Sequence, residues 1–267
     1  MKLRQLGDDQ FLSAEGEAML QFNAEGTVVS LTGSNPLHVA AMESIRRQGD
    51  VVFLDVQSSD ILQRLESMKV DRIVGQLNGA SMRDILNRRQ PFYESCYDAR
   101  VICEAGELLE SVSVKVVAAV RRLRAVTGDK FVSTRGRLSE FGFGQALLRG
   151  LADDGGLFVP ADRLPRFKPG ELFRLVPLDY GERAIRILEQ LIHPSDVHPS
   201  DIRRFVQEAY RSGAFEGDDV TGIVPLDGER FEYVHELFRG LTASFKDLAL
   251  QLLPHFFQHA ATGDGSW

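Results

Sequence analysis

DVVFLDVQSSDILQRLESM (50–68) changes its kind of order midway. Residues 50–56 form a strongly apolar run, the composition of a strand buried on both faces. Residues 58–68 read as a helix, with Ser58 and Ser59 available to cap its start. Working outward, TVVSLTG (27–33) is a β-branched run that ends in a glycine turn and predicts another strand. Helical spacing runs from 36 to 49 and stops at Gly49. Phe11, Glu15 and Met19 predict an earlier amphipathic helix. VDRIVGQLNGAS (70–81) reads as a polar loop, MRDILNRRQ (82–90) as a short helix ending before Pro91, DARVICE (98–104) as a strand, and 107–126 as a long helix. Strands alternating with helices in this way predict an α/β fold with a parallel sheet covered on both faces.

TGDKF (127–131) is the expected boundary between two domains, 1–126 and 127–267. Beyond it, the spacing predicts a short strand, a helix carrying Phe143, Ala146 and Leu147, a turn at DDGG (153–156), and helices near 181–192 and 198–213. HPSDVHPSD (193–201) repeats a word of turn and capping residues, with Ser and Asp expected to start the helix that follows. The chain has 267 residues, enough for one large domain or two modest ones. A net charge of −7 argues against a broad nucleic-acid surface. No apolar run approaches the roughly 20 residues of a membrane span. Two cysteines, Cys96 and Cys103, make neither a disulfide framework nor a structural zinc site, so no metal is expected and an intracellular compartment, cytosol or mitochondrion, is the simplest reading.

The order VVSLTGSNP, VVFLDV, RIVG, RRQPFY, DARVICE resembles the shikimate kinase family from its middle to its end. The resemblance implies that the turn at Thr32, Gly33 and Ser34 contacts substrate, that Arg72 lies on a lid near the nucleotide phosphates, and that Arg89 holds a substrate carboxylate. A second reading takes Arg72 and Arg89 as solvated surface arginines on a degenerate scaffold. No GxxxxGK[ST] occurs, and Leu12 stands where the family has a substrate-binding arginine. A phosphate cradle needs glycine N–H groups, a lysine and a Mg²⁺-binding hydroxyl, so no ATP site is expected.

FVSTRG, GLADDGGLFVP and HELFRGLTASFKDLALQLL, in that order and spacing, resemble the N-terminal part of the threonine synthase family, enzymes of fold-type II that use pyridoxal 5'-phosphate (PLP). The resemblance implies that Lys246 is the PLP-anchoring, catalytic lysine, with Phe245 and Asp247 as motif neighbours, acting as a lyase on O-phosphohomoserine or a related phospho-amino acid. Arg239 and Leu241 replace the family's histidine and proline. Read from the residues alone, Ser244 and Asp247 form a capping box that puts Lys246 in the first turn of a buried helix. Burial and the helix dipole would both favour the neutral amine that attacks an aldehyde, and the same helix start would attract a phosphate. A lysine that snorkels to the surface is the competing reading.

The fold expected is therefore an incomplete parallel-sheet kinase-like domain followed by the N-terminal lobe of a fold-type II PLP enzyme. Only 21 residues follow Lys246, and Pro254 should break or bend the helix. ATGDG (261–265) is too short to be the Ala-Thr-Ser-Gly-Asp-Thr-Gly strand end of that family. The expectation is a chain truncated at both ends and inactive by itself, with an exposed C-terminal helix that aggregates or is covered by a second copy or a partner. The alternative is a non-catalytic binding or regulatory module on a degenerate kinase scaffold. STRG (133–136) and DDGG leave the roles of Arg135, Asp153 and Asp154 open.

Overall fold

The computed structural model describes residues 2–68, 73–75, 79–125, 128–136, 140–161, 164–217, 219–227 and 232–262, with side chains from residue 6 onward. It is an α/β structure whose chain divides into two compact units, Met1–Arg124 and Ala125–Trp267. Among the described residues no helix is long and apolar enough to cross a membrane, and no group of three His, Cys, Asp or Glu side chains is placed to hold a metal.

The first unit runs α1 (Lys2–Leu20), α2 (Val39–Arg46), β1 (Val52–Val56), α3 (Ser58–Met68), α4 (Met82–Ser95), β2 (Ala99–Cys103) and α5 (Leu109–Leu123). α1 is two helical stretches meeting at Gly7, whose φ of 75° only glycine adopts without strain. β1 and β2 pair in parallel, Val52 opposite Ala99 through Val56 opposite Cys103. α5 packs on these strands, and Met19, Ala41 and Met42 form a small core beside Leu31, Val51 and Cys96. The sheet differs from the expectation in extent: two strands are paired, and Leu54 stays 47% exposed.

TVVSLTG is not a strand. Residues 27–32 carry no regular structure, Val28 is fully exposed, and the run ends in a side-chain turn in which Asn35 Oδ1 accepts the Thr32 N–H at 2.6 Å. β-Propensity yields a strand only where a partner edge is hydrogen-bonded to it. The helix expected to stop before Pro91 continues to Ser95 with the proline inside. Its last turn is held from outside: Tyr93 donates its hydroxyl to Gly33 O at 2.6 Å, and Glu94 pairs with the buried Arg100 guanidinium. Arg100 also meets Asp55 at 3.1 Å and lies over the Phe53 and Tyr97 rings.

The second unit contains β3 (Phe131–Ser133), α6 (Phe143–Arg149), β4 (Phe158–Pro160), α7 (Pro169–Leu175), α8 (Tyr180–Leu191), α9 (Pro199–Ala209), β5 (Gly222–Asp227), β6 (Glu232–Glu236), α10 (Asp247–Leu250) and α11 (Leu253–Thr262). β3 pairs antiparallel with β4, and β5 with β6. The core joins Ile185, Ile192, Val197, Ile202, Phe205, Val206 and Phe256. The repeated HPSD word does cap, but through histidine rather than Ser or Asp. His198 Nδ1 accepts the Ser200 N–H at 3.2 Å at the start of α9, and His193 Nδ1 accepts the Ser195 N–H at 3.1 Å. Proline after each histidine supplies no N–H of its own, so the next free amide belongs to the serine.

Asp196, in the first copy of that word, is half-buried against Gly128 and accepts the Phe143 N–H at the start of α6. Burial pushes its carboxyl above the ordinary 3.8, and Asp129 adds to the push while His193 and Lys130 oppose it. A raised carboxyl means that the folded chain holds the proton more tightly than the unfolded one. The stabilisation is therefore complete below the ordinary value and declines as pH rises through the raised one. Asp196→Asn, which cannot ionise, is expected to stabilise the second unit near neutral pH. The gain should vanish below about pH 4 when urea midpoints of variant and wild type are compared across that range.

Candidate functional site

Lys246 sits at the start of α10, a helix of only four residues. The side chain is exposed, Phe245 is 63% exposed and Leu241 is 82% exposed. The expected buried helix is therefore absent at this point. The reason is length: α10 ends at Leu250, a turn follows, and Pro254 opens α11 as a separate helix. One helical turn also has little macrodipole with which to attract phosphate. The capping box does not form as expected either, since Ser244 Oγ accepts the N–H of Lys246, at 3.3 Å, and Asp247 N–H goes to Ser244 O at 3.0 Å.

What shapes the turn is Asp247, only 6% exposed. Its Oδ2 accepts the Thr242 N–H and its Oδ1 the Thr242 hydroxyl, both at 2.8 Å. These bonds to the charged form hold the carboxyl below its ordinary value. Gly240 packs so closely on the Asp247 side chain that a Cβ there would overlap it. Ala243 takes a φ of 53°, unusual for a residue with a Cβ. Upstream, Arg239 donates through Nε and Nη2 to Glu236 Oε2 at 3.1 and 2.6 Å, and through Nη1 to Asp219 O at 3.2 Å. Downstream, the Tyr210 hydroxyl donates to Leu248 O at 2.6 Å. The sequence marks Thr242 as a residue matching the family motif but not as the partner of Asp247, and it gives Glu236 and Tyr210 no role. The one local signal was a Thr five positions before an Asp across a short turn.

PLP needs an amine for its aldehyde and enclosing donors for its phosphate and ring. Lys246 fits the first requirement. Being exposed, with Phe238, Leu241, Phe245 and Leu250 also exposed around it in sequence, it has no enclosing shell among the described residues. A cavity of about 440 Å³ in this unit is lined by Asp179, Tyr180, Glu182, Tyr210, Asp219 and neighbours and not by Lys246. STRG and DDGG are brought together as a structural lock: Asp154 Oδ1 accepts the Ser133 hydroxyl at 2.6 Å and the Gly156 N–H at 2.9 Å, and Arg135 donates to Asp154 O at 2.9 Å. Asp153 pairs with Arg149 on the surface at 3.0 Å.

In the first unit, Gly33 and Arg89 come together, while Arg72 lies outside the described residues. Arg89 is 7% exposed, which corrects the surface reading. Nη1 donates to Gly33 O at 2.9 Å and Nη2 to Val74 O at 2.8 Å. A guanidinium taken out of water needs such acceptors, and here backbone carbonyls supply them. A cavity of about 210 Å³ opens beside them, lined by Leu31, Thr32, Gly33, Phe53, Tyr93, Cys96 and others. Arg89→Leu is expected to lower the stability of this unit by about 1–3 kcal/mol in the absence of any ligand, through two orphaned carbonyls. A urea titration followed by circular dichroism measures it; an unchanged midpoint would show that the bonds are dispensable.

With this geometry in place, comparison with known proteins is informative. The family model described as Shikimate kinase matches residues 2–121, and that described as Threonine synthase N terminus matches residues 130–210. Threonine synthase-like 1 of Homo sapiens is 44% identical over 266 residues, covering 97% of this chain and 35% of that protein. The protein of the same name from Mus musculus is 43% identical over the same shares. Threonine synthase of Pseudomonas aeruginosa is 40% identical over 136 residues, 51% of this chain and 28% of that protein. The solved PLP-bound threonine synthase from Brucella melitensis is 39% identical, covers 49% of this chain and 27% of that chain, and superposes with a TM-score of 0.45. The chain thus spans 35% of the length of the threonine synthase-like 1 proteins. Over 97% of its own length the chain is similar to threonine synthase-like 1, and along it the shikimate kinase model matches first and the threonine synthase N-terminus model second.

Proposed function

We propose that residues 127–267 are the lysine-bearing N-terminal region of a threonine synthase-like, PLP-dependent lyase, that residues 1–126 are a degenerate shikimate-kinase-like domain, and that the substrate is O-phosphohomoserine or a related phospho-amino acid. The observation that carries this reading is Thr242-Ala-Ser-Phe-Lys246-Asp247 standing as an ordered turn that offers the lysine at its surface. PLP, when bound, supplies an electron sink for a carbanion next to nitrogen. The residues of this chain supply the attaching amine, Lys246, and the turn that holds it. The same amine is the group that moves protons at the reacting carbons. By itself this chain leaves Lys246 open to water, and we infer that it does not turn substrate over in that state.

A second reading keeps the first unit as a non-catalytic scaffold, because Arg89 spends two donors on its own backbone. In that reading the exposed Phe238, Leu241, Phe245 and Leu250 serve a partner or a second copy rather than a cofactor shell.

The test is reductive trapping. Purified chain is mixed with PLP, reduced with borohydride and mapped by mass spectrometry. Lys246 is expected to be labelled ahead of Lys115, Lys130 and Lys168, and Lys246→Ala to lose that label alone. Even labelling across the lysines of the chain would sink the assignment. Phosphate release from O-phosphohomoserine should be undetectable; release abolished by Lys246→Ala would instead show that this chain carries the whole reaction.

A further inference from the structure

We propose that Asp247 is a positioning residue for Lys246, its carboxylate closing the 242–247 turn so that the lysine leaves the backbone in one fixed direction. The inference rests on the reading of Lys246 as the cofactor lysine. The side chains of the two neighbours in sequence have opposite environments: Lys246 is exposed and Asp247 is buried at 6% exposure. The burial is not apolar packing. Each carboxylate oxygen takes a separate donor of one residue, the N–H and the hydroxyl of Thr242, at 2.8 Å. A two-point contact fixes orientation as well as distance, which a single bond does not.

The rest of the turn is built around that carboxylate. Gly240 leaves no room for a Cβ beside Asp247. Ala243 N–H reaches Gly240 O at 3.0 Å while the residue itself sits at a φ of 53°. A strained residue persists only where its surroundings over-determine it. Both ends are anchored: the Arg239 carbonyl accepts the Glu216 N–H at 2.8 Å, its guanidinium grips Glu236, and Leu248 O accepts the Tyr210 hydroxyl. Backbone freedom is thus removed on both sides of a side chain that itself faces water. Preorganisation of this kind lowers the entropy lost when a reacting group is later ordered. Because Thr242 holds the carboxyl below its ordinary value, the clamp should persist above that lowered value and be lost only as pH falls through it.

The experiment uses the full chain with three variants, Asp247→Ala, Asp247→Asn and Thr242→Val, and two readouts. The first is hydrogen exchange of the Thr242 amide, with amides of α9 and α11 as the control for folding. The second is the preference for Lys246 over Lys115, Lys130 and Lys168 in PLP trapping. The expected result is a protected Thr242 amide in the wild type, exposed in Asp247→Ala, with a drop of about tenfold in the preference for Lys246. Asp247→Asn, which keeps a carbonyl acceptor, should fall between, and Thr242→Val should lose preference while keeping the amide bond. An amide equally protected in Asp247→Ala would overturn the clamp. An exposed amide with unchanged preference would overturn the positioning role. If Asp247→Ala fails the folding control, Thr242→Val alone decides by the same preference. Absence of any preference in the wild type would overturn the lysine assignment and the positioning role with it, and is distinguished by being visible before any substitution.

Discussion

Phe256 is the side chain on which the second unit closes. It is 5% exposed, and its ring meets Phe143 at 5.6 Å and Phe205 at 5.4 Å, both edge-on. Those three rings come from α11, α6 and α9, so one residue near the end of the chain completes a core begun by the first helix of its unit. Edge-to-face pairs add about 0.5–1.5 kcal/mol each beyond the area they bury. Phe257, the next residue, is 37% exposed, so α11 offers this core one face only. The arrangement has a consequence upstream. α10 hangs between α11, fixed by Phe256, and α9, reached through the Tyr210 hydroxyl. Packing at residues that carry no chemistry therefore anchors the helix that follows the Lys246 turn.

The first unit buries ionic and polar contacts beside its small apolar core. Arg100 bridges Asp55 and Glu94 with its side chain almost wholly out of water, and Arg89 is tied to two carbonyls. Buried cations are costly to leave unpaired, so each such residue is constrained by its partners with or without a ligand. That separates retention from activity. An arginine whose donors satisfy Gly33 and Val74 has a reason to stay in place with no substrate. Gly33 has its own reason, since a Cβ there would come within 3.1 Å of Arg89 Nη1.

The elements legible in the sequence were those that need only their own residues. The apolar run at 52–56, the 99–103 strand and the amphipathic helix at 109–123 follow from periodicity. The unread parts all depend on something distant. TVVSLTG has strand composition, yet among the described residues it pairs with no strand, and it ends in the Asn35 turn. Pro91 is a helix breaker locally, and α4 passes through it because Tyr93 and Glu94 are held by Gly33 and Arg100. The histidine caps were masked by serines and aspartates that cap more often. Lys246, Phe245 and Asp247 were visible as a motif, but the geometry around them was not.

That last gap is instructive because one string of letters supports two physical arguments. Ser244-Phe-Lys-Asp247 reads as a helix start followed by apolar residues, and a long helix there would bury the lysine. The turn at Gln251 and Leu252 and the proline at 254 divide the run, and a lysine at the head of one helical turn cannot be surrounded by that turn alone. Asp247 then changes role. Instead of capping a helix from its third position, it reaches back to Thr242 and fixes the loop that precedes the lysine. The motif spacing serves that reach as well as it would serve a cap. An acid next to a motif lysine is thus informative through the residue it holds, here a threonine five positions upstream, and not through its charge beside the amine.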